Sequence, residues 1–191
     1  MAGKPSFDRE DLIERAQALF WKSGWAGTSM KDLEKGLNIR PGSFYAAFGS
    51  KDDLYELALD RYAATGQRRL KELTEEFGPI GALKVYLKAL ASKQSGTPAK
   101  ACMLVKTLLE LQGRNDQLAD RADKHLSAME KGIEKLFRDA QEKGEIDPSH
   151  DPAKLARRFQ SDMVGLRATA ERKSVDANAL AEEMITALDR L

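Results

Sequence analysis

Apolar residues recur along this chain at intervals of three and four, with breaks at Gly, Pro, Asn and Ser. Every long segment has the helical period, and none alternates with the period of two of a half-buried strand. Ser6 or Asp8 can cap a first helix running to about Ser23, with Leu12, Ile13, Ala16, Leu19 and Phe20 inward and Gly24 placed to end it. Trp21 and Trp25 are assigned to sealing the small core beside it. Thr28 or Ser29 then caps a short helix, and Ser29-x-x-Asp32 has capping-box spacing with Asp in place of Glu. Met30, Leu33 and Leu37 fall at i, i+3 and i+7 and make one buried stripe. Asn38 suits a left-handed terminating residue, and Ile39 packs the turn. Pro41 is preset for a first helical position, so a third helix is predicted from there to about Phe48, with Phe44 and Phe48 inward.

Ser50-x-x-Asp53 opens a helix from Lys51 to about Phe77, and Gly78-Pro79 breaks it. A fifth helix follows from Ile80 to about Lys93, then a loop over 94–98. The run from Ala101 to Leu111 is apolar on nearly every side, which predicts a buried helix at the centre of a second domain. Asn115 caps a long helix to about Lys143, with Leu118, Ala122, Leu126, Met129, Ile133, Leu136, Phe137 and Ala140 inward. Asp151-Pro152 supplies a cap and a first-turn proline for an eighth helix, and a last one starts near Asp176. The fold class is therefore all-α, with nine or so helices: an N-terminal three-helix domain containing a helix-turn-helix, then a C-terminal helical bundle. The domains are placed at 1–54 and 55–191.

Two short helices joined by a turn of three to four residues can present the second to a DNA major groove. On the outer face of the third helix, Gly42, Ala46 and Ala47 are small enough for close approach of a phosphate or base edge. Ser43, Tyr45, Arg40 and Lys51 offer donors. A glycine inside a helix costs about 1 kcal/mol against alanine, so a benefit should offset Gly42. Spacing alone leaves open an ordinary helical corner that docks protein or simply faces solvent.

The stretch NIRPGSFYAAFGSKDDL resembles the end of the DNA-binding domain of the TetR/AcrR family of bacterial transcriptional regulators. The pattern there is a small pair, an apolar residue, Tyr, two variable positions, Phe and a short link to Lys. Here these are Gly42-Ser43, Phe44, Tyr45, Ala46-Ala47, Phe48 and Lys51, and the match covers about the first quarter of the chain. The resemblance implies a homodimeric repressor on a palindromic operator. Thr28, Ser29, Lys31, Arg40, Pro41, Gly42, Ser43, Tyr45, Ala46 and Lys51 are then at the DNA: Thr28, Arg40, Tyr45 and Lys51 mainly on phosphates, Gly42, Ser43 and Ala46 near bases. Many relatives carry a basic residue where Pro41 stands and His or Tyr where Ala47 stands, which shifts phosphate binding here toward Arg40 and Lys51. The resemblance also implies that the last two helices form a four-helix dimer interface, assigned to Leu155, Phe159, Leu166, Leu180, Met184 and Leu188.

With 191 residues and a net charge of +1, the chain has no overall basic field. Residues 1–51 hold eight Lys/Arg and six Asp/Glu, a balance of +2, so any DNA-facing charge must come from arrangement. No signal peptide or long apolar run is visible, and a single Cys fits a reducing compartment, so a cytoplasmic location is expected. His125 and His150 are the only histidines, no nucleophile–base–orienter set is apparent, and no metal spacing or phosphate loop occurs. Neither enzyme activity nor a cofactor nor a metal is expected. A small-molecule effector pocket is expected in the second domain, with Tyr62, Tyr86, Cys102, Met103, Thr107, His125, Met129, Phe159 and Met163 as candidate lining. Plain core packing is the competing reading for each. The segment from Ala101 to Gly132 resembles the electrophile-responsive, N-ethylmaleimide-repressor-like branch of the same family, which implies a reactive Cys102 near a helix start with Lys100 and Lys106 close by. Rival readings are a helical adaptor and a small-molecule binder or enzyme in the bundle.

Overall fold

Helix starts in this chain are set by side chains that satisfy backbone N–H groups the helix itself cannot. A computed structural model describes residues 8–92 and 98–191. Asp8 caps α1 (Arg9–Ser23), Ser29 caps α2 (Met30–Leu37), and α3 (Pro41–Phe48) starts on its proline. Ser50 caps α4 (Lys51–Ala91), α5 (Met103–Leu111) starts after Cys102, and Asn115 caps α6 (Asp116–Glu142). Asp151 caps α7 (Pro152–Thr169) and Asp176 caps α8 (Ala177–Leu188). No strand occurs among the described residues. Ser6, the other expected first cap, and the loop at 94–97 lie outside them.

The expected break at Gly78-Pro79 is present as a kink within α4, where two helical stretches meet. Gly78 takes φ 72°, a left-handed value that costs an L side chain, and Pro79 restarts the helix. The Ile80 N–H, which the bend deprives of its helical acceptor, donates to Glu145 Oε2 at 3.1 Å. α4 thus contains the fourth and fifth expected helices on either side of Gly78, and the described residues form eight elements when α4 is counted once.

Two apolar cores run end to end. The first joins α1, α2, α3 and the start of α4 to α5 and the start of α6, and includes Phe20, Leu33, Phe44, Tyr55, Met103 and Leu118. The second joins the rest of α4 and α6 to α7 and α8, around Leu83, Phe137, Phe159 and Leu166. The expected division at 54/55 falls inside the first core. So does α5, which packs mainly on α6 and reaches the α1–α2 turn through Glu110 and Lys106. It is not buried all round: Leu109 is 77% exposed.

Candidate nucleic-acid interface

The α2–turn–α3 unit is rigid for reasons readable residue by residue. Ser29 and Asp32 exchange hydrogen bonds as a full capping box. Asn38 adopts φ 52°, ψ 48° and closes α2, and Ile39 is buried beneath the turn. Phe44 and Phe48, 5.6 Å apart, anchor α3 to the core. On the opposite side Pro41, Gly42, Ser43, Tyr45, Ala46 and Ala47 are all exposed, with Tyr45 at 54%. A Cβ placed on Gly42 would meet nothing within 4 Å, so its own chain does not require a glycine there.

The start of α3 is electrostatically open. Arg40 makes no side-chain cap, and no acidic residue stands in the first turn. The positive end of the helix and its free N–H groups face solvent beside the exposed Arg40, an arrangement suited to a phosphate. Lys31 is exposed on α2. Lys51 lies half-buried with its ammonium 4.1 Å from the Trp25 ring centroid. Burial lowers its pKa, while Asp52 and Glu110 oppose that shift.

Two expected DNA contacts are altered. Thr28 is 2% exposed and its hydroxyl donates to the Gly24 carbonyl at 2.7 Å, so it holds the turn before α2 and has nothing to offer a phosphate. The Ser29 hydroxyl is engaged with Asp32 at 2.6 Å, which leaves that residue a capping role at an exposed helix start.

Contacts that spacing did not announce tie this unit to α5. Glu110 accepts the N–H groups of Trp25 and Ala26 at 3.0 and 2.8 Å, in the turn between α1 and α2. Lys106 Nζ donates to the Trp21 carbonyl at 2.6 Å, at the end of α1. Trp25 Nε1 donates to Asp52, and Asn115 donates to the other oxygen of the same carboxylate. The Glu110 and Lys106 contacts join residues more than 80 apart, so no local motif could show them.

A cavity of about 330 Å³ lies among α1, α4, α6 and α7. It gathers Tyr62, Tyr86, Cys102, Met129 and Met163 from the expected lining. The other four residues stand elsewhere. Met103 is core, Thr107 is hydrogen-bonded to the Tyr55 hydroxyl at 2.8 Å, Phe159 packs on Phe137, and His125 meets Asp60 at 2.7 Å on the flank of α4. Trp21, assigned to core, is a wall of this cavity, and Gln17, Lys100 and Arg167 join it unforeseen. Among the described residues no group of three or more His, Cys, Asp or Glu is placed to hold a metal.

The residues assigned to a dimer interface divide by depth. Phe159, Leu166 and Leu188 are buried in the chain's own second core, and Leu155, Leu180 and Met184 are half-buried against it. The first three are therefore withdrawn from an interface, since a second copy cannot reach them. The outward stripes are Ser161, Gly165 and Ala168 on α7 and Ala179, Glu183 and Thr186 on α8.

Residues 12–58 match the family described as bacterial regulatory proteins, tetR family, and residues 83–188 match tetracyclin repressor-like, C-terminal domain. The HTH-type transcriptional repressor ComR of Escherichia coli K12 is 30% identical over 161 residues, covering 81% of this chain and 75% of its own length. Among solved structures, a cysteine mutant of the TetR family regulator CifR complexed with 26-bp operator DNA superposes with TM-score 0.87 at 23% identity, over 97% of this chain and 99% of that one. The reduced form of E. coli NemR gives TM-score 0.81 at 22% identity, over 94% of each chain. These two likenesses are of fold.

Proposed function

This chain belongs to the TetR family of bacterial transcriptional regulators, and on that premise we propose that it is a homodimeric repressor that releases a near-palindromic operator when its C-terminal half is occupied or modified. The observation that carries the DNA-binding reading is the uncapped, acid-free start of α3, with Gly42, Ser43 and Ala46 outward and Gly42 not required by its own chain. Arg40, Tyr45, Lys31 and Lys51 hold phosphates; Gly42 and Ser43 approach base edges. Pro41 sets the angle at which they are offered. The division at 54/55 is one of duty, with residues 1–54 on the DNA and 55–191 for effector binding and dimerisation. No described helix is long and apolar enough to cross a membrane, and a reader of chromosomal DNA works in the cytoplasm.

The second copy packs on α7 and α8. Ser161, Gly165 and Ala168 repeat at i, i+4 and i+7, and side chains this small let helices of two copies approach closely. Release follows from the cavity. Its wall includes Trp21 at the end of α1 and Cys102 at the start of α5, the helix that grips the α1–α2 turn through Glu110 and Lys106. A ligand with different affinity for the bound and released arrangements shifts the balance between them. Conjugate addition of the Cys102 sulfur to an activated C=C would form a C–S bond, open the C=C π bond and pass the thiol proton through solvent to the neighbouring carbon, filling the same space. Cys102→Ser would abolish a response to electrophiles and leave a response to reversible ligands.

Duplex binding measured against salt tests the reading. Phosphate contacts make affinity fall steeply as salt rises, and Lys51→Ala or Arg40→Ala weakens all sequences alike and lowers the slope by about one. An affinity independent of salt would point instead to a helical adaptor that docks protein.

A further inference from the structure

We propose that the cavity takes a flat aromatic carboxylate, with Arg167 holding its negative charge; the inference rests on the reading of this cavity as the effector site. The wall carries Arg69, Lys100 and Arg167 and no Asp or Glu. Two of the three cations are already engaged. Arg69 sits at the exposed rim 3.7 Å from Glu72, and Lys100 Nζ donates to the Ala170 carbonyl at 2.8 Å. The nearby Glu171 carboxylate is spent on the N–H groups of Lys100 and Ala101.

Arg167 is different. Its Nε donates to the Lys100 carbonyl at 2.7 Å, which fixes the guanidinium plane. No carboxylate of the described residues forms an ion pair with it, and residues 1–7 and 93–97 contain no Asp or Glu. The four N–H bonds on its terminal nitrogens form the fork that matches a carboxylate. The guanidinium carbon stands 5.5 Å from the Trp21 ring centroid and 5.9 Å from that of Tyr62, and these two rings meet edge to face at 5.2 Å. The charge therefore sits among aromatic surfaces that favour a flat apolar body.

The neutral polar groups agree in sign. The Tyr62 hydroxyl is buried without a hydrogen-bond partner. Burial pushes the Tyr62 and Tyr86 phenols above their ordinary range, so both remain O–H donors. The Gln17 amide oxygen is also buried without a donor, and rotation of that amide would turn its NH₂ group to the same space. A cationic ligand would meet three like charges here with no acid to receive it. A neutral ligand would dehydrate the Arg167 fork without pairing it. A carboxylate satisfies the fork and an O–H donor together.

The test is calorimetric titration of the full chain with naphthoate and phenylacetate, their neutral amides, and the cationic naphthylmethylamine. The native protein is expected to bind at least one carboxylate roughly tenfold or more tighter than its amide, the factor a charge-assisted hydrogen bond supplies, and the amine not at all. Arg167→Gln should remove the preference for acid over amide, and Arg167→Lys should restore part of it. Thermal melts of the free variants identify any loss of folding, and Gln17→Leu gives a second variant that leaves Arg167 and its Lys100 contact in place, expected to weaken acid and amide alike. Equal binding of acid and amide, a preference that survives Arg167→Gln, or failure of both carboxylates to bind would overturn the proposal. Operator retention is read separately: a carboxylate that binds through Arg167 yet leaves the operator bound supports the ligand class and contradicts release.

Discussion

Gly42 shows how a single residue can separate folding from function. Open space surrounds the position a Cβ would take, and the residue lies within the first turn of α3 at ordinary negative φ. Alanine there should leave the fold intact or stabilise it by up to ~1 kcal/mol. The same methyl group would stand between α3 and a base edge. Gly42→Ala is thus expected to raise the melting temperature slightly while weakening operator binding, read by paired melts and duplex titrations. Asp60 makes a different case. Burial alone would raise its pKa, but hydrogen bonds and charge from Arg121 and His125 outweigh it and hold the carboxyl below its usual value. A depressed folded pKa means stabilisation present above the unfolded pKa, near ~4, and lost as pH falls through the lower folded value. Asp60→Asn should cost roughly 1 kcal/mol at neutral pH, discounted for partial exposure, with the gap to the native protein closing below about pH 4. Melts across that range would show it. The inward and outward sides of α3 were legible because a period of 3.6 sorts them. The fate of Thr28 was not: a threonine before a helix serves equally as an outward donor or an inward tie, and only the fold brings the Gly24 carbonyl to its hydroxyl.

Helix boundaries were legible at nearly every start, because Asp8, Ser29, Ser50, Asn115, Asp151 and Asp176 each satisfy N–H groups within three residues along the chain. The placement of α5 was not. Its leucines announce burial but not its tie to the α1–α2 turn, which is polar: Glu110 on two backbone N–H groups and Lys106 on the last carbonyls of α1. Glu110→Gln leaves one acceptor for two donors and removes the charge. It should destabilise the chain by roughly 1–2 kcal/mol and weaken operator binding, since the start of α2 loses its hold. If thermal melts and operator affinity both match the native protein, α5 is not the element that fixes the α1–α2 turn. The bend at Gly78 was legible as a break because glycine followed by proline admits little else. The cap on the helix that restarts at Pro79 was not, because it depends on Glu145, which follows α6, reaching the Ile80 N–H.

At the scale of the molecule, two cores share α4 and α6, and the cavity lies where they meet, its wall drawn from both. This junction could not be read from periodicity, which shows which face of a helix is buried but not which of two cores receives it. Burial of Phe159, Leu166 and Leu188 inside one copy likewise required the path of the chain, and it moves the proposed dimer contact to the small outward residues of α7 and α8. Two copies joined there would carry two α3 helices, and their separation decides whether a duplex can be read at two sites at once. Selection of bound duplexes from a random pool, for the native chain and for Ser43→Ala, tests this most directly. The account predicts enrichment of a near-palindrome with half-site centres about one helical turn apart or a multiple of it, and a Ser43→Ala preference altered at matching positions in both halves. Enrichment of a single unpaired site, or a Ser43→Ala profile identical to the native one, would contradict it.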